Sequence, residues 1–185
     1  MKANILKKSA LFGVIVMGLI SGSVVASNIF GKAKIVDAKD VIEQVEKYIG
    51  KFVETEGKII HVCGVDRKKI RLFVENVGSI NIIPENPNTT FDYDLNQKEV
   101  VIVGIVKEIR IEKNRIDEME QNLALLCSID KEPCIDPDYV ERRRRNGTLE
   151  TDSKRHINGL RETMEKTGKD YISIVTIVAK SVEIK

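Results

Sequence analysis

The chain has 185 residues, 42% of them hydrophobic and 31% charged. That is the composition of a globular protein of about one domain, and it excludes both wholesale disorder and a polytopic membrane protein. Tryptophan is absent and aromatics make up 5%, which argues against an aromatic-rich binding surface. The formal charge of +2 includes Lys2, Lys7 and Lys8. Without those three, 27 basic side chains face 28 acidic ones, so nothing in the net charge draws the chain to nucleic acid.

The first residues read as an export signal. Three lysines lie in the first eight positions, and no charge follows from Ser9 to Phe30. The apolar run Leu11–Ile20 precedes the small residues Ser21–Ala26, with Val24 and Ala26 suiting the −3 and −1 positions of a cleavage site. The uncharged run is 22 residues long, enough for an uncleaved anchor, but Gly13, Gly18, Ser21, Gly22 and Ser23 dilute it and favour cleavage. Residues 1–26 are therefore expected to be a signal peptide, leaving a periplasmic or secreted protein with no membrane span. In such an oxidising compartment Cys127 and Cys134 could pair within a loop. The ring would hold eight residues and add roughly 2.5 kcal/mol on the chain-entropy account. Cys63 would then be the odd thiol, although bridges involving it remain open.

A linker and N-terminal helix follow over 27–50. Asp37 is the N-cap candidate, Val41, Ile42, Val45, Tyr48 and Ile49 form one apolar face, and Gly50 is the stop. From Phe52 the period falls to two. The pattern predicts a long strand from Phe52 to Cys63, bulged or coiled at Gly57, and a clean alternation over Lys69–Glu75. It then predicts a short strand at Ser79–Ile83, a polar connection from Pro84 to Asn96, and a strand at Glu99–Ile111 apolar on both faces. An acidic helix is expected from about Glu112 to Leu126, then a loop over Cys127–Asn146. A second helix, capped by Thr148 or Thr151 and ended near Gly168, leads into a closing strand at Tyr171–Ile184. The predicted fold is mainly β: a five-stranded OB-type Greek-key barrel over 51–185, with a helical insert at 112–169 between strands four and five. A meander sheet carrying a helical hairpin is the alternative.

The stretch Val53–Cys63, the basic turn after it and Ile70–Val74 resemble a group of exported bacterial OB-fold proteins of unknown function. Their first strand follows V-x-G-x-V-x-H-V-C, and their closing strand is introduced by a Gly-Lys-Asp-Tyr run, here Gly168–Tyr171. The resemblance covers roughly Val53–Lys185 and implies an OB barrel and a periplasmic address, with no established activity. The family pattern carries a second histidine two residues past the cysteine, where this chain has Val65.

Three groups of residues could carry chemistry. His61 and Cys63, two apart on one strand, share a face and could offer two soft ligands to a metal or a thiol with a neighbouring base. Their parity with Val53 and Ile59 points to the barrel interior, where a satisfied histidine and an inert core thiol are the plainer reading. Lys69, Arg71 and Phe73, with Asn81 on the next strand, form an outward row in which a cation can hold phosphate and a ring can stack a base. Arg142–Arg145 is the densest charge run, but Asp136, Asp138, Glu141 and Glu150 surround it and suggest a solvated, self-paired segment. His156 sits on the insert, too remote in sequence to assign. No paired carboxylates, phosphate loop, nucleophile elbow or metal motif is present. The expectation is a non-catalytic binding module needing no cofactor and no metal, using Lys69, Arg71, Phe73 and Asn81. Its ligand, unidentified, would be an oligonucleotide, an oligosaccharide or a protein, the partner being an envelope protein or an anionic polymer. A metal- or redox-handling protein built on His61 and Cys63 is the alternative.

Overall fold

The computed structural model describes residues 32–185; the signal-peptide assignment lies outside them. The elements are β1 (Lys34–Ile35), α1 (Ala38–Glu43), α2 (Val45–Tyr48), β2 (Phe52–Val62), β3 (Ile70–Val74), β4 (Gly78–Pro84), β5 (Glu99–Glu112), α3 (Lys113–Gln121), α4 (Pro137–Arg145), α5 (Leu149–Thr167) and β6 (Tyr171–Ile184). Five strands close a ring in the order β2-β3-β4-β6-β5, with β5 returning to β2. Every ring pair is antiparallel except β4 with β6. This is the OB-type barrel predicted from the alternation of residues 52–184. The two-residue β1 adds to β2 in parallel, outside the ring, and carries no signal in the sequence.

The barrel fills by strict alternation. Val53, Ile59, Ile70, Leu72, Ile80, Ile82, Val100, Ile102, Val106 and Ile177 point inward and are almost wholly buried. The N-terminal helix is part of this core. The Asp37 carboxylate caps it by accepting the Lys39 N–H at 2.8 Å, and Val41, Val45 and Tyr48 pack into the barrel cluster. The helix breaks at Gln44, and Ile49, expected on the apolar face, is exposed.

Two irregularities shape the ring. At Gly57, expected to be bulged or coiled, the strand coils: β2 turns there from pairing β5 to pairing β3, with Lys58 opposite both Glu99 and Phe73. A side chain there would meet Leu72 at 3.1 Å. The actual bulge in β2 comes later, between Ile59 and His61. A second bulge interrupts the β5–β6 ladder at Val103/Gly104.

Beyond the barrel, β5 and β6 continue as a two-stranded arm, from the Glu108–Val175 pair to the Glu112–Tyr171 pair. The arm carries the insert on a separate core of Ile111, Ile116, Met119, Ile157, Leu160, Ile172 and Ile174. Arg161 ties α5 to α3 through Asp117 (2.8 Å) and Glu120 (2.6 Å). Helix α3 is shorter than predicted. The chain leaves it at Leu123 (φ +49°) and forms a short hairpin centred on the Leu126–Pro133 pair. The predicted loop also contains α4, which Asp136 caps through the Tyr139 N–H (3.0 Å), with Pro137 at its first position. Helix α5 ends on Gly168, whose φ of +65° is the left-handed conformation that suits glycine. Among the described residues no helix is long and apolar enough to cross a membrane.

Candidate functional site

Cross-strand partners share a face, so the register lines up one residue from each ring strand on the barrel's outer surface. His61 lies opposite Arg71, Arg71 opposite Asn81, Asn81 opposite Thr176, and Thr176 opposite Lys107. The flanking residues Ile70, Leu72, Ile80, Ile82, Val175 and Ile177 belong to the core, which places this row outside. His61 and Lys107 at its ends are exposed, while Asn81 (3% exposed) and Thr176 (1%) at its centre are buried. Phe73, on the same side of β3, is 46% exposed.

Part of the insert covers this face. At one edge Lys69 and Asp130 form an ion pair of 2.6 Å, with side chains 19% and 17% exposed. Burial works against the Lys69 charge, but the hydrogen bond and charge of Asp130 outweigh it and hold the ammonium protonated above its usual range. At the other edge Ile172 and Ile174 of β6 pack into the insert core. Ligands of OB barrels lie on the face of the second and third strands, flanked by the loop between the fourth and fifth. Here that loop has grown into the insert, and the hairpin holding Cys127, Asp130 and Lys131 reaches β3. Burial lowers the pKa of both Arg71 and Lys131; the Arg71 charge lowers Lys131 further, whereas Cys127 pulls Arg71 the other way.

His61 departs from the interior position expected, whereas the Cys63 thiol is buried as expected. The bulge between Ile59 and His61 shifts the parity, so that Val62 joins the core and His61 faces outward beside Arg71. The Cys63 N–H donates to the Lys69 carbonyl at 2.8 Å, continuing the ladder by one residue, and its side chain is buried. Among the described residues no group of three or more His, Cys, Asp and Glu side chains gathers at metal-binding distance.

The bridge between Cys127 and Cys134 is not formed; all three cysteines are free. Cys127 bonds across to Glu132 and Cys134 to Leu125, so the two sit diagonally across the Leu126–Pro133 pair rather than opposite each other. Burial pushes the Cys127 thiol up, although the Ile129 and Asp130 backbone N–H groups pull the other way. In reduced protein, an aromatic disulfide reagent should therefore titrate Cys127 and Cys134 in the native state and Cys63 only after denaturation. Equal native reactivity of Cys63 would contradict its burial.

His156 holds the hairpin from the other side. Its Nδ1 accepts the Leu126 N–H at 3.0 Å, which requires the neutral ring. Burial, and then the Arg155 charge, keeps its pKa below the usual histidine value, against an opposing pull from Asp152. His61 is lowered in the same sense by burial and then Arg71. Both imidazoles bind protons more readily in the unfolded chain. The stability they contribute is therefore full above about pH 6.5 and is lost as pH falls through and below that value. The urea midpoint should drop between about pH 7.5 and about pH 5.5, and changing both histidines to Gln should flatten that dependence. A midpoint unchanged over this range in the native sequence would contradict the assignment.

The arginine run lies on α4, and two of its four side chains are ion-paired: Arg144 bonds Glu141 at 2.7 Å and Arg143 reaches Asp152 of α5 at 3.3 Å. Arg142 and Arg143 also lie over the Tyr139 ring at 5.5 and 5.1 Å. Thr176 escaped sequence reasoning because it stands inside an apolar run. Its signal is that both of its neighbours, Val175 and Ile177, belong to the inward set.

The fold and this surface define an OB-type barrel whose outer face is covered in part by its own helical insert. No protein-family model matches the chain, and no curated protein matches it.

Proposed function

We propose that the protein is an exported, non-catalytic binding module that holds its ligand on the outer face of β2, β3 and β4, beside the insert. The observation that carries this reading is the convergence of Lys69, Arg71, Phe73 and Asn81 on the ligand side of an OB barrel. Arg71 supplies charge, Phe73 an accessible ring, and Asn81 directional hydrogen bonds. The mature chain works in the periplasm or outside the cell, and the resemblance of its first strand to exported OB-fold proteins supports that address. An anionic polymer of the envelope suits the surface best, since the outer row contains His61, Arg71 and Lys107 and no acidic residue.

Two named probes test the reading: a fluorescent single-stranded oligothymidylate and fluorescent polygalacturonate, each titrated against the full mature chain. The wild type should bind at least one. Arg71→Ala and Phe73→Ala, with unchanged circular dichroism, should each weaken that binding by about 1–3 kcal/mol, the range for a charge-assisted contact or one stacked ring. Binding that survives both substitutions unchanged removes this face from the account.

A further inference from the structure

Among the described residues, ten buried side-chain nitrogen or oxygen atoms have no hydrogen-bond partner within the protein, and four of them fall on the single outer row. They are Arg71 Nε and Nη2, Asn81 Nδ2 and Thr176 Oγ1. Each can donate. The Nε–Nη2 edge of a guanidinium is its side-on fork, two parallel N–H groups matched to a carboxylate or phosphoryl group. Arg71, Asn81 and Thr176 occupy three adjacent strands, β3, β4 and β6, so their Cβ atoms step along the sheet at about 5 Å. A buried donor without a partner is costly, and a sheet whose outer face could have carried apolar residues instead places several together.

The row itself carries basic side chains and no acidic one. Lys69 is neutralised by Asp130, whereas Arg71 has no ion-pair partner among the described residues, and Lys131 of the insert adds a second cation nearby. Burial lowers the pKa of Arg71, as expected for a cation held against the sheet, and the opposing pull of Cys127 does not restore it.

We propose that Arg71, Asn81 and Thr176 form a site for one oxyanion, a carboxylate or phosphoryl group, held between the outer face of β3–β4–β6 and the insert hairpin. The site rests on the binding-face reading above and specifies the chemistry recognised there. Arg71 grips two oxygens through its fork, Asn81 and Thr176 donate from the sheet, and Lys131 closes the charge from the insert. An acidic sugar or side chain and a phosphorylated ligand share this chemistry.

Thermal unfolding of the full mature chain in acetate and in inorganic phosphate, each against chloride at equal ionic strength, tests the site. At least one of the two should raise Tm saturably. A response to acetate alone identifies a carboxylate ligand, and a response to phosphate alone a phosphoryl one. Asn81→Leu should raise Tm in chloride, by removing an unpartnered donor, and abolish the increment from the anion. Arg71→Lys keeps the charge but loses the fork, and should weaken the anion about tenfold or more. Should Asn81→Leu fail to fold, the wild-type Asn81 side-chain amide resonances still report, and they should shift as the anion saturates. No difference from chloride in either salt overturns the site, as does an increment that survives Arg71→Lys intact. If polygalacturonate or oligothymidylate binding nevertheless depends on Arg71 and Phe73, the binding-face reading stands and the oxyanion site alone falls.

Discussion

Gly104→Ala should destabilise the protein by about 3 kcal/mol, at the upper end of the overpacking range. A Cβ at this position would stand 2.3 Å from the Val178 carbonyl oxygen, 2.7 Å from Ile177 Cγ2 and 2.9 Å from Ala179 Cα. Two of those three atoms are backbone, so no rotamer change relieves the contact. Gly104 is also where the β5–β6 ladder shifts register while β5 still pairs with Val53 of β2 on its other side. The strand therefore cannot move outward without opening the ring. Thermal unfolding of the purified variant should show Tm lowered by roughly 6–12 °C. A wild-type Tm would mean that the two strands do not approach as closely as described, and that the ring closes differently.

Ile157→Ala should act on the insert and spare the barrel. Ile157 is fully buried in the cluster formed by Ile111, Ile116, Met119, Leu160, Ile172 and Ile174, none of which belongs to the barrel core. Truncating an isoleucine to alanine in such a site costs about 2–5 kcal/mol, comparable to what a small cluster can supply. Native-state hydrogen exchange is the measurement. Amides of α3, α5 and the β5–β6 arm should lose protection together, while those of Ile59, Leu72 and Ile80 keep theirs. Equal loss of protection in both groups would show that barrel and insert form one cooperative unit. Because the insert hairpin is tied beside the outer row through the Lys69–Asp130 pair, this variant should also loosen that edge of the site, linking the stability of the insert to access there.

Much of the architecture was legible because alternation is a strong signal. Ile70-Arg-Leu-Phe-Val74 shows its inward and outward sides at once, and the doubly apolar Glu99–Ile111 announces a strand with neighbours on both sides. Bulges were not legible, because one extra residue inverts the parity without changing composition. Ile59-Ile60-His61 reads equally well with either face inward, and the wrong choice placed His61 in the core. Helix α4 did carry a signal: Asp136-Pro137 is an N-cap followed by a proline at the first helical position, preceding a run of residues compatible with helix. Within the proposed site, Lys69, Arg71, Phe73 and Asn81 followed from outward parity alone. Thr176 and Lys131 did not, since they reach the row only through the parallel β4–β6 pairing and the long return of the insert, contacts between residues far apart in sequence.

Polygalacturonate and oligothymidylate, each titrated into the isotope-labelled chain and followed by amide and side-chain chemical shifts, put the ligand surface to its most direct trial. The account predicts saturable changes centred on Lys69–Phe73, Asn81 and Thr176 and extending to Cys127–Lys131. Changes confined to Arg142–Arg145 on α4, or none with either probe at any concentration, would contradict it.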